Sequence, residues 1–495
     1  MVVFRPAERR RSRESVASRL RLAMVLLGLC LFSMMIAQFW VLKVAITTLE
    51  SESRESWFAN RTKSLPHFAQ GRVFAQIQRE IRAISNSQSA KPISFLFNTT
   101  RWRVPAESRC DAIFGNGYSE KVLQCPLLRC HQNPVSHATF CAVQVLQLNP
   151  TKISVSKGNE SIEDVIGRDE SAEYPVYEFG ALSTSQTCDI GEINGDRFPH
   201  HLALMMGSLT FKENSTQASC HEGVTLFVTR YEYANLYHTM SDWYNTFQVW
   251  AIATGLSRDV QIIFMDGHSK GSLDSPWETL FGKSPTFVSS ISARSCFRQA
   301  ILVPPGYTSA LSVDMMNIAD TCSPSPLVQN FAEWFVSRFG LGHVRPSTKS
   351  PKILIVLRHD YLAHPRVQGR PASRKIENEQ ELLDHTTAAF PHATIEAPDF
   401  ENITFEEQIR AVRNATVVIG VHGAALSHIL FAIPGSTSLV ELMPPEYSAR
   451  FHFLMFAKYV GARYERVQIG SEKPGGFHHV PVQDVIETLR LVLSR

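Results

Sequence analysis

The sequence predicts an α/β protein whose carboxy-terminal part, residues 352–495, is a doubly wound domain built around a parallel sheet. Three short apolar runs in this part, at 352–357, 416–421 and 438–442, are each typical of a strand buried on both faces. Segments with helical periodicity separate the runs, and this alternation indicates βαβ units. A polar, proline-bracketed segment, 344–351, is the expected linker to an earlier domain.

Smaller elements complete the alternation in the carboxy-terminal domain. A helix is expected at 377–385, a short strand at 394–396 and a second helix at 404–413. Thr404 is the expected N-cap of the second helix, because its hydroxyl can accept a backbone N–H in the first turn. A further helix is expected to begin in the small-residue turn at 422–428.

The earlier domain, expected over residues 106–343, contains another βαβ unit. Apolar runs at 224–229 and 260–265 indicate strands, and the aromatic segment 230–247 between them indicates a helix. A strand, a helix and a strand within about 40 residues favour a parallel pairing, since parallel strands need a crossover of this length.

The amino terminus is typical of a membrane anchor. A basic tail, 1–21, precedes an uncharged run, 22–42, and about 20 apolar residues suffice to cross a bilayer as a helix. The run is too long for a cleaved signal peptide and lacks a small-residue cleavage site, so an uncleaved signal anchor is expected. The positive-inside rule places the tail in the cytoplasm and the rest in the lumen. A polar segment, 43–105, is the expected stem.

Charge, cysteines and sequons agree with a luminal body. The net charge of +3 lies largely in the tail, so no nucleic-acid partner is indicated. Eight cysteines after the apolar run are expected to form disulfides, although the sequence leaves their pairing open. They are Cys110, Cys125, Cys130, Cys141, Cys188, Cys220, Cys296 and Cys322. The expected glycosylation sites are Asn60, Asn98, Asn159, Asn214 and Asn402, whereas a sixth sequon at Asn414 precedes an apolar strand and is expected to stay unused.

The segment 230–247 carries the candidate catalytic residues. His238 and Asp242 are four residues apart and therefore share one face of a helix. A histidine and a carboxylate ringed by aromatic side chains suit proton abstraction beside a bound sugar. The alternative is an amphipathic core helix, since aromatics at helical spacing are usually core. The candidate acceptor-binding residues are Tyr231, Tyr233, Asn235, Tyr237 and Trp243.

Polar residues at the expected strand ends of the carboxy-terminal domain suggest a nucleotide-diphosphate site. Ligands of doubly wound sheets bind outside the carboxyl ends of the strands. Arginine can pair with a diphosphate, backbone N–H groups at a helix start can approach its oxygens, and a glutamate can bind ribose hydroxyls. The alternatives are tight helix–strand packing and surface salt bridges. The candidate residues are Arg358, His422, Gly423, Ala424, Ala425 and Glu441.

Two further features concern phosphates and metals. A basic loop containing His364, Arg366, Arg370 and Arg374 could cover leaving phosphates or could simply be solvated. No Asp-x-Asp pair is present in the sequence, and Asp266-Gly-His268 is a weak match for a metal site. We therefore expect no cofactor and a reaction that does not require a metal.

Four blocks identify a family resemblance. They are RYEYANLYHTMSDWYNTF at 230–247, CFRQAILVPPGYTSAL at 296–311, RHDYLAHPR at 358–366 and ATVVIGVHGAALSHILFAIPGSTSLVEL at 415–442. In this order they resemble glycosyltransferase family 61, and within it the plant-type N-glycan β-1,2-xylosyltransferases, over roughly residues 220–470. The resemblance implies a GT-B architecture of two Rossmann-like domains facing a cleft. It also implies inverting transfer of xylose from UDP-xylose to O2 of the core β-mannose of N-glycans, in the Golgi membrane.

The resemblance also implies residue roles. Asp242 matches the acidic position of the aromatic block and would be the general base, with His238 orienting it or binding the acceptor. The donor-binding positions correspond to Arg358, His422-Gly423-Ala424 and Glu441. Where the family's turn has a second glycine, this chain has Ala425. A methyl group there is tolerable if φ is negative, but it could narrow the space beside the phosphates.

Three other functions compete with this interpretation. A relative in the same family could transfer N-acetylglucosamine or another pentose to a protein O-glycan or a polysaccharide. A luminal lectin could keep the cleft without catalysis, although Asp242 together with Arg358 argues against it. A membrane-anchored structural protein would leave the nucleotide-site residues unexplained.

Overall fold

The computed structural model describes residues 120–185, 200–211, 220–254, 259–313, 322–361 and 372–494, with short pieces at 110, 113–114, 189–191 and 315–316. All of them belong to one compact unit, 82–495. None of the helices in these ranges is both long and apolar enough to cross a membrane. The expected tail, anchor and stem, and the sequons at Asn60, Asn98 and Asn214, lie outside the described residues.

A mixed sheet dominates the chain up to residue 302. The strands in this part are β1 (Glu120–Gln124), β2 (Leu128–Gln132), β3 (Thr139–Leu148), β4 (Ile153–Ser154), β5 (Val176–Tyr177), β6 (Leu182–Thr184), β7 (Leu209–Phe211), β8 (His221–Val228), β9 (Val260–Phe264), β10 (Thr286–Phe287) and β11 (Ser295–Leu302). The main path of the sheet is β1-β2-β3-β11-β8-β9-β10, with β6 and β7 attached at β3, while β4 pairs with β5 separately. Strands β11, β8, β9 and β10 run parallel, which confirms the predicted βαβ unit of β8 and β9.

The second sheet is parallel throughout, as the apolar runs predicted. The remaining strands are β12 (Lys352–Val356), β13 (Lys375–Ile376), β14 (Thr394–Glu396), β15 (Val417–Val421), β16 (Ser438–Met443), β17 (Arg463–Gln468) and β18 (Phe477–His478). The sheet order is β14-β12-β15-β16-β17, and β13 pairs with β18 beside it. Crossovers between neighbouring strands place their carboxyl ends at one edge.

Eight α-helices of the described residues cover the sheets. They are α1 (His200–Gly207), α2 (Leu236–Thr254), α3 (Ser275–Phe281), α4 (Pro326–Arg338), α5 (Glu379–Ala389), α6 (Phe405–Asn414), α7 (His452–Val460) and α8 (Val482–Leu493). The expected N-cap of α6 is confirmed: Thr404 accepts from Glu407 N–H, and the Glu407 carboxylate accepts from Thr404 N–H. The mixed α/β fold with parallel strands is thus confirmed, while the division at 344–351 stays a prediction.

The aromatic helix begins later than its sequence block. Residues 230–235 form a loop because side chains, rather than helical carbonyls, accept their backbone N–H groups. Glu232 accepts from Tyr233 and Ala234, at 2.8 and 3.1 Å. Asn235 then accepts from Tyr237 N–H at 3.0 Å in the first turn of α2. Tyr231 and Tyr233 therefore lie in this loop and do not share one face of a helix with the aromatic residues of α2.

Helix α2 lies in a core that draws on both parts of the chain. Trp243 is fully buried, with ring centroids 5.2 Å from Phe335 of α4 and 5.6 Å from Phe405 of α6. It also lies 6.3 Å from Trp277 of α3. Such an aromatic buries a large apolar area, so α2 is held by the layers on either side of it.

Disulfides reinforce the first half of the body. Cys110 pairs with Cys322, Cys130 with Cys141, and Cys220 with Cys296. Cys125 is also disulfide-bonded, and Cys188 lies outside the described residues. These bonds confirm the expectation of structural disulfides.

The sequons within the described residues differ in exposure. Asn159 and Asn402 are exposed, as glycan attachment requires. With its amide oriented to suit both neighbours, Asn414 donates to the Arg345 carbonyl and accepts from Lys352 Nζ, each at 2.9 Å. Its amide is therefore engaged in the fold, and the expectation that this sequon is unused stays a prediction.

Replacing Trp243 by alanine is expected to lower the free energy of unfolding by about 3–5 kcal/mol, because it leaves a cavity between α2, α4 and α6. Chemical denaturation of the purified protein measures this. Phe179→Ala is the control, since Phe179 is 72% exposed and should cost less than about 0.5 kcal/mol. Equal losses in both variants would contradict the shared core.

Candidate functional site

The candidate site lies at the carboxyl ends of β12, β15 and β16, which are neighbours in the second sheet. Arg358 follows β12 by two residues, His422 directly follows β15, and Glu441 lies within β16. Contacts described below join all three predicted donor-side positions. Their meeting at one sheet edge is the arrangement that the sequence predicted.

Two guanidinium groups converge on Gly423. A Cβ atom built on Gly423 would lie 3.1 Å from Arg358 Nη1 and 3.8 Å from Arg374 Nη1. Arg374 Nη1 also donates to the His422 carbonyl at 3.0 Å. Among the described residues neither arginine has a carboxylate partner, and the buried Nε of Arg358 has no hydrogen-bond partner. These groups are suited to an anionic ligand.

The electrostatics of Arg374 point the same way. Burial, followed by the nearby positive charges of Arg358 and Arg450, lowers its pKa. Its backbone adopts φ +65°, a conformation that is uncommon for a residue other than glycine. An anion between the arginines would relieve the repulsion between like charges that the fold maintains here. Of the predicted basic loop, His364, Arg366 and Arg370 lie outside the described residues.

The small-residue turn leads into a 3₁₀ helix, Ala424–Phe431, where a helix was expected. Its first hydrogen bond runs from Leu426 N–H to the Gly423 carbonyl at 2.9 Å. The preceding N–H groups of a helix have no intrahelical partner and favour anions. Ala425 is not among the residues with positive φ, so the backbone tolerates its methyl group.

Glu441 orients His422. The Glu441 carboxylate is fully buried, and its Oε1 lies 2.5 Å from His422 Nδ1. Its Oε2 accepts from the Tyr464 hydroxyl at 2.5 Å. The hydrogen bond at Nδ1 fixes the orientation of the His422 ring, as in other histidine–carboxylate pairs. Each carboxylate oxygen thus has a partner within the fold, and the ribose contact expected of Glu441 stays a prediction.

Asp242 is buried and accepts hydrogen bonds from the backbone of two loops. Its Oδ2 accepts from the N–H groups of Tyr231 and Glu232 at 2.8 and 3.3 Å, and its Oδ1 accepts from Gly306 N–H at 2.9 Å. The side chain is almost fully buried, and this burial raises its pKa well above the usual value, although the backbone hydrogen bonds oppose the shift. The described contacts of the carboxylate are to these backbone groups, so His238 does not orient it as expected.

His238 is the more accessible of the two predicted catalytic residues. Its half-buried ring lies 4.8 Å from the Tyr231 ring and 5.1 Å from the Tyr237 ring. Burial lowers the pKa of His238, and the charge of Glu232 partly opposes this shift. The imidazole is therefore neutral near pH 7 and able to accept a proton.

Aromatic contacts connect α2 to the second sheet. The Tyr237 ring lies 4.7 Å from His452 at the start of α7, and the His452 ring lies 5.8 Å from His422. Burial and the neighbouring His422 lower the pKa of His452 to about 4. These ring contacts connect the predicted acceptor side on α2 with the predicted donor side at the second sheet.

The remaining acceptor-side predictions are partly corrected. Trp243 and Tyr233 are buried in the core, Tyr233 being stacked 4.6 Å from His268, and their rings are not available to a sugar. Asn235 caps α2, and Tyr237 is largely buried between α2 and α7. Tyr231 is half-buried and remains suited to acceptor contact.

The weak candidate for a metal pair has other partners. Asp266 is fully buried and accepts from Arg230 Nη2 at 2.7 Å, and this pairing lowers its pKa despite burial. His268 Nδ1 lies 2.7 Å from Glu173 Oε2. These side chains therefore stabilise the loop before α2, since buried charges need such partners.

The sequence did not predict three residues that contact His422 or Glu441 in the candidate site, namely Tyr464, His452 and Tyr447. Tyr464 reaches Glu441 because β17 pairs with β16, a neighbourhood that strand pairing reveals. Tyr447 stacks 5.4 Å from His422 and lies 5.1 Å below the Arg374 guanidinium. The run Phe451-His-Phe453 at the start of an apolar helix was the one available signal for His452.

The fold and site define an α/β protein with two arginines, suited to an anionic ligand, at the edge of a parallel sheet, and with aromatic side chains around His238 of α2. Comparison with known proteins then identifies the family. The model of the family described as "Glycosyltransferase 61" matches residues 236–440, from the start of α2 to β16. A rice protein that is 32% identical over most of both chains supports the same assignment, and the chain belongs to glycosyltransferase family 61. It is accordingly a glycosyltransferase.

Two plant relatives span most of the chain. A protein of Oryza sativa subsp. japonica named beta-1,2-xylosyltransferase RCN11 is 32% identical over 438 residues, covering 79% of this chain and 80% of the relative. A beta-1,2-xylosyltransferase of Arabidopsis thaliana is 29% identical over 472 residues, covering 78% and 87%. An EGF domain-specific O-linked N-acetylglucosamine transferase of Drosophila melanogaster is 27% identical over 218 residues, covering 42% and 38%.

Arg358→Ala and Arg374→Ala are each expected to weaken binding of a nucleoside diphosphate about 10- to 100-fold, since each removes hydrogen bonds from a charged donor. Calorimetric titration with UDP measures the affinity. Arg410→Ala serves as the control, because Arg410 pairs with Glu406 on an exposed helix face. Unchanged UDP affinity in both site variants would place the donor elsewhere.

Proposed function

We propose that this enzyme transfers xylose from UDP-xylose to O2 of the core β-mannose of N-glycans. The observation that carries the donor assignment is the pair of arginines at Gly423, which have no carboxylate partner among the residues that the structure describes. The two relatives that span most of the chain are both named beta-1,2-xylosyltransferase, which supports xylose as the sugar. The N-acetylglucosamine transferase covers under half of the chain and gives that alternative weaker support.

We further propose that the two sheets belong to a GT-B arrangement and that the enzyme is a type II membrane protein of the Golgi. The parallel strands in both sheets and the aromatic contacts between α2 and α7 support the first proposal. The arginine-rich tail, the uncharged run 22–42, the disulfides and the exposed sequons support the second.

The proposed reaction is a single displacement with inversion. The acceptor hydroxyl loses its proton to His238 while its oxygen attacks the anomeric carbon, and the bond from that carbon to the diphosphate breaks. The electron pair of that bond leaves on UDP, whose charge is met by Arg358 and Arg374 and by the start of the 3₁₀ helix. His238 replaces Asp242 as the proposed base, because Asp242 is buried beneath backbone amides.

We propose that the transfer needs no metal. Two arginines and the helix start supply positive charge where a metal would otherwise neutralise the diphosphate. Asp266 and His268, which the sequence suggested as the nearest metal pair, have partners of their own.

Incubation with an N-glycan acceptor and either UDP-xylose or UDP-N-acetylglucosamine tests the proposed function. The acceptor should gain one pentose from UDP-xylose, with and without EDTA, as measured by mass spectrometry. A gain from UDP-N-acetylglucosamine alone would overturn the sugar assignment, and a gain abolished by EDTA would overturn metal independence. Glycan binding without transfer from either donor would favour the lectin.

His238→Gln is expected to lower kcat about 10²- to 10⁴-fold, because it removes the proton acceptor. In the unsubstituted enzyme, kcat/KM should fall only as the pH drops through the His238 pKa, which burial lowers from its ordinary value. Above that pKa the ring is neutral and competent. Measuring kcat/KM as a function of pH tests for this decrease on the acidic side.

Asp242→Asn is the matched variant for this assignment. Its amide cannot reproduce all three acceptor contacts, so the melting temperature should fall and the acceptor KM should rise. A loss of kcat in Asp242→Asn at unchanged melting temperature, with activity retained in His238→Gln, would return the role of base to Asp242.

A further inference from the structure

A continuous strip of aromatic side chains leads away from His238. The Tyr231 ring lies 4.8 Å from His238 and 5.6 Å from Tyr307, measured between centroids. The His201 ring lies 5.9 Å from Tyr307 and 4.8 Å from Tyr174. We call these five residues the aromatic strip. Each of the five residues is half-buried.

The strip is assembled from distant parts of the chain. Tyr174 precedes β5, His201 lies in α1, Tyr307 follows β11, and Tyr231 and His238 flank the start of α2. A core cluster would bury such rings fully, as it does for Trp243 and Trp277. Tyrosine and histidine rings combine an apolar face with a polar edge. Because the Tyr307 hydroxyl is buried and the Tyr174 hydroxyl donates within the fold, these two tyrosines offer their ring faces rather than their hydroxyls.

Two backbone ties hold the strip in place. Asp242 accepts from Tyr231 N–H and from the N–H of Gly306, the residue before Tyr307. A Cβ atom on residue 306 would approach Asp242 Oδ1 to 2.4 Å, so a side chain there would break the tie. The Tyr174 hydroxyl donates to the Tyr231 carbonyl at 3.2 Å. The rings are therefore arranged before any ligand arrives, which lowers the entropic cost of binding.

We propose that the aromatic strip binds the sugars of the acceptor glycan that extend beyond the reacting mannose. This inference rests on the proposed function, because it takes His238 as the end at which transfer occurs. Pyranose rings present apolar C–H faces bordered by hydroxyls, and the strip offers matching surfaces at successive rings. The donor would lie on the other side of His238, at the arginines that follow β12 and precede β13.

Three variants separate this role from folding. Tyr307→Ala and His201→Ala should each raise the KM for an N-glycan acceptor about three- to tenfold, while kcat and the KM for UDP-xylose stay unchanged. Tyr307→Phe keeps the ring and should retain most of the acceptor affinity. Phe179→Ala, which removes a 72% exposed aromatic outside the strip, is the control. Melting temperatures exclude general loss of folding.

Direct binding of the N-glycan, measured by saturation-transfer NMR without donor, keeps this inference distinguishable from the proposed function. If transfer occurs but Tyr307→Ala and His201→Ala bind and turn over the glycan like the parent, the strip is overturned and the proposed function stands. If no transfer occurs yet these variants lose glycan binding, the strip stands as a carbohydrate site and the proposed function fails. Loss of UDP-xylose affinity together with glycan affinity would also overturn the strip.

Discussion

The geometry of the site depends on the hydrogen bonds that the buried carboxylate of Asp242 accepts. Removing a carboxylate from water is costly unless hydrogen bonds replace its hydration, and three backbone N–H groups do so here. Two of them come from the loop before α2 and one comes from the loop after β11, so a single side chain sets the spacing between those loops. Helix α2 carries Asp242, and the packing of Trp243 beside it holds the carboxylate at the right depth.

A second buried carboxylate organises the opposite side of the site. Glu441 receives His422 on one oxygen and Tyr464 on the other, and so links β15, β16 and β17 where their ends meet. The arginines beside it remain without carboxylate partners among the described residues. In this part of the site the acidic group therefore orients neighbouring side chains, whereas the two arginines are suited to an anionic ligand. That asymmetry suits a substrate that brings two phosphates.

Local chemistry explains which parts of the molecule the sequence could predict. Fully apolar runs identified β12, β15 and β16, and the Thr404 cap located the start of α6, because each signal lies within a few residues. The rule about strand ends predicted that Arg358, His422 and Glu441 meet at one edge of the sheet. The role of Asp242 could not be predicted, since one of its partners is 64 residues away and is a backbone group. Helical spacing likewise could not separate the buried Trp243 from the half-exposed Tyr231, because the block begins as a loop.

Because the chain is synthesised from its amino terminus, the disulfides can form only in a certain order. Cys130 and Cys141 are separated by 11 positions and can pair almost as soon as both have emerged. Cys110 and Cys322 are 212 positions apart, and at roughly 5–20 residues per second the second thiol appears about 10–40 s after the first. During that interval Cys110 is exposed to incorrect partners, among them Cys220 and Cys296, which emerge earlier than Cys322. Yield of the native enzyme in a cell should therefore depend on thiol exchange catalysts more than its final stability would indicate.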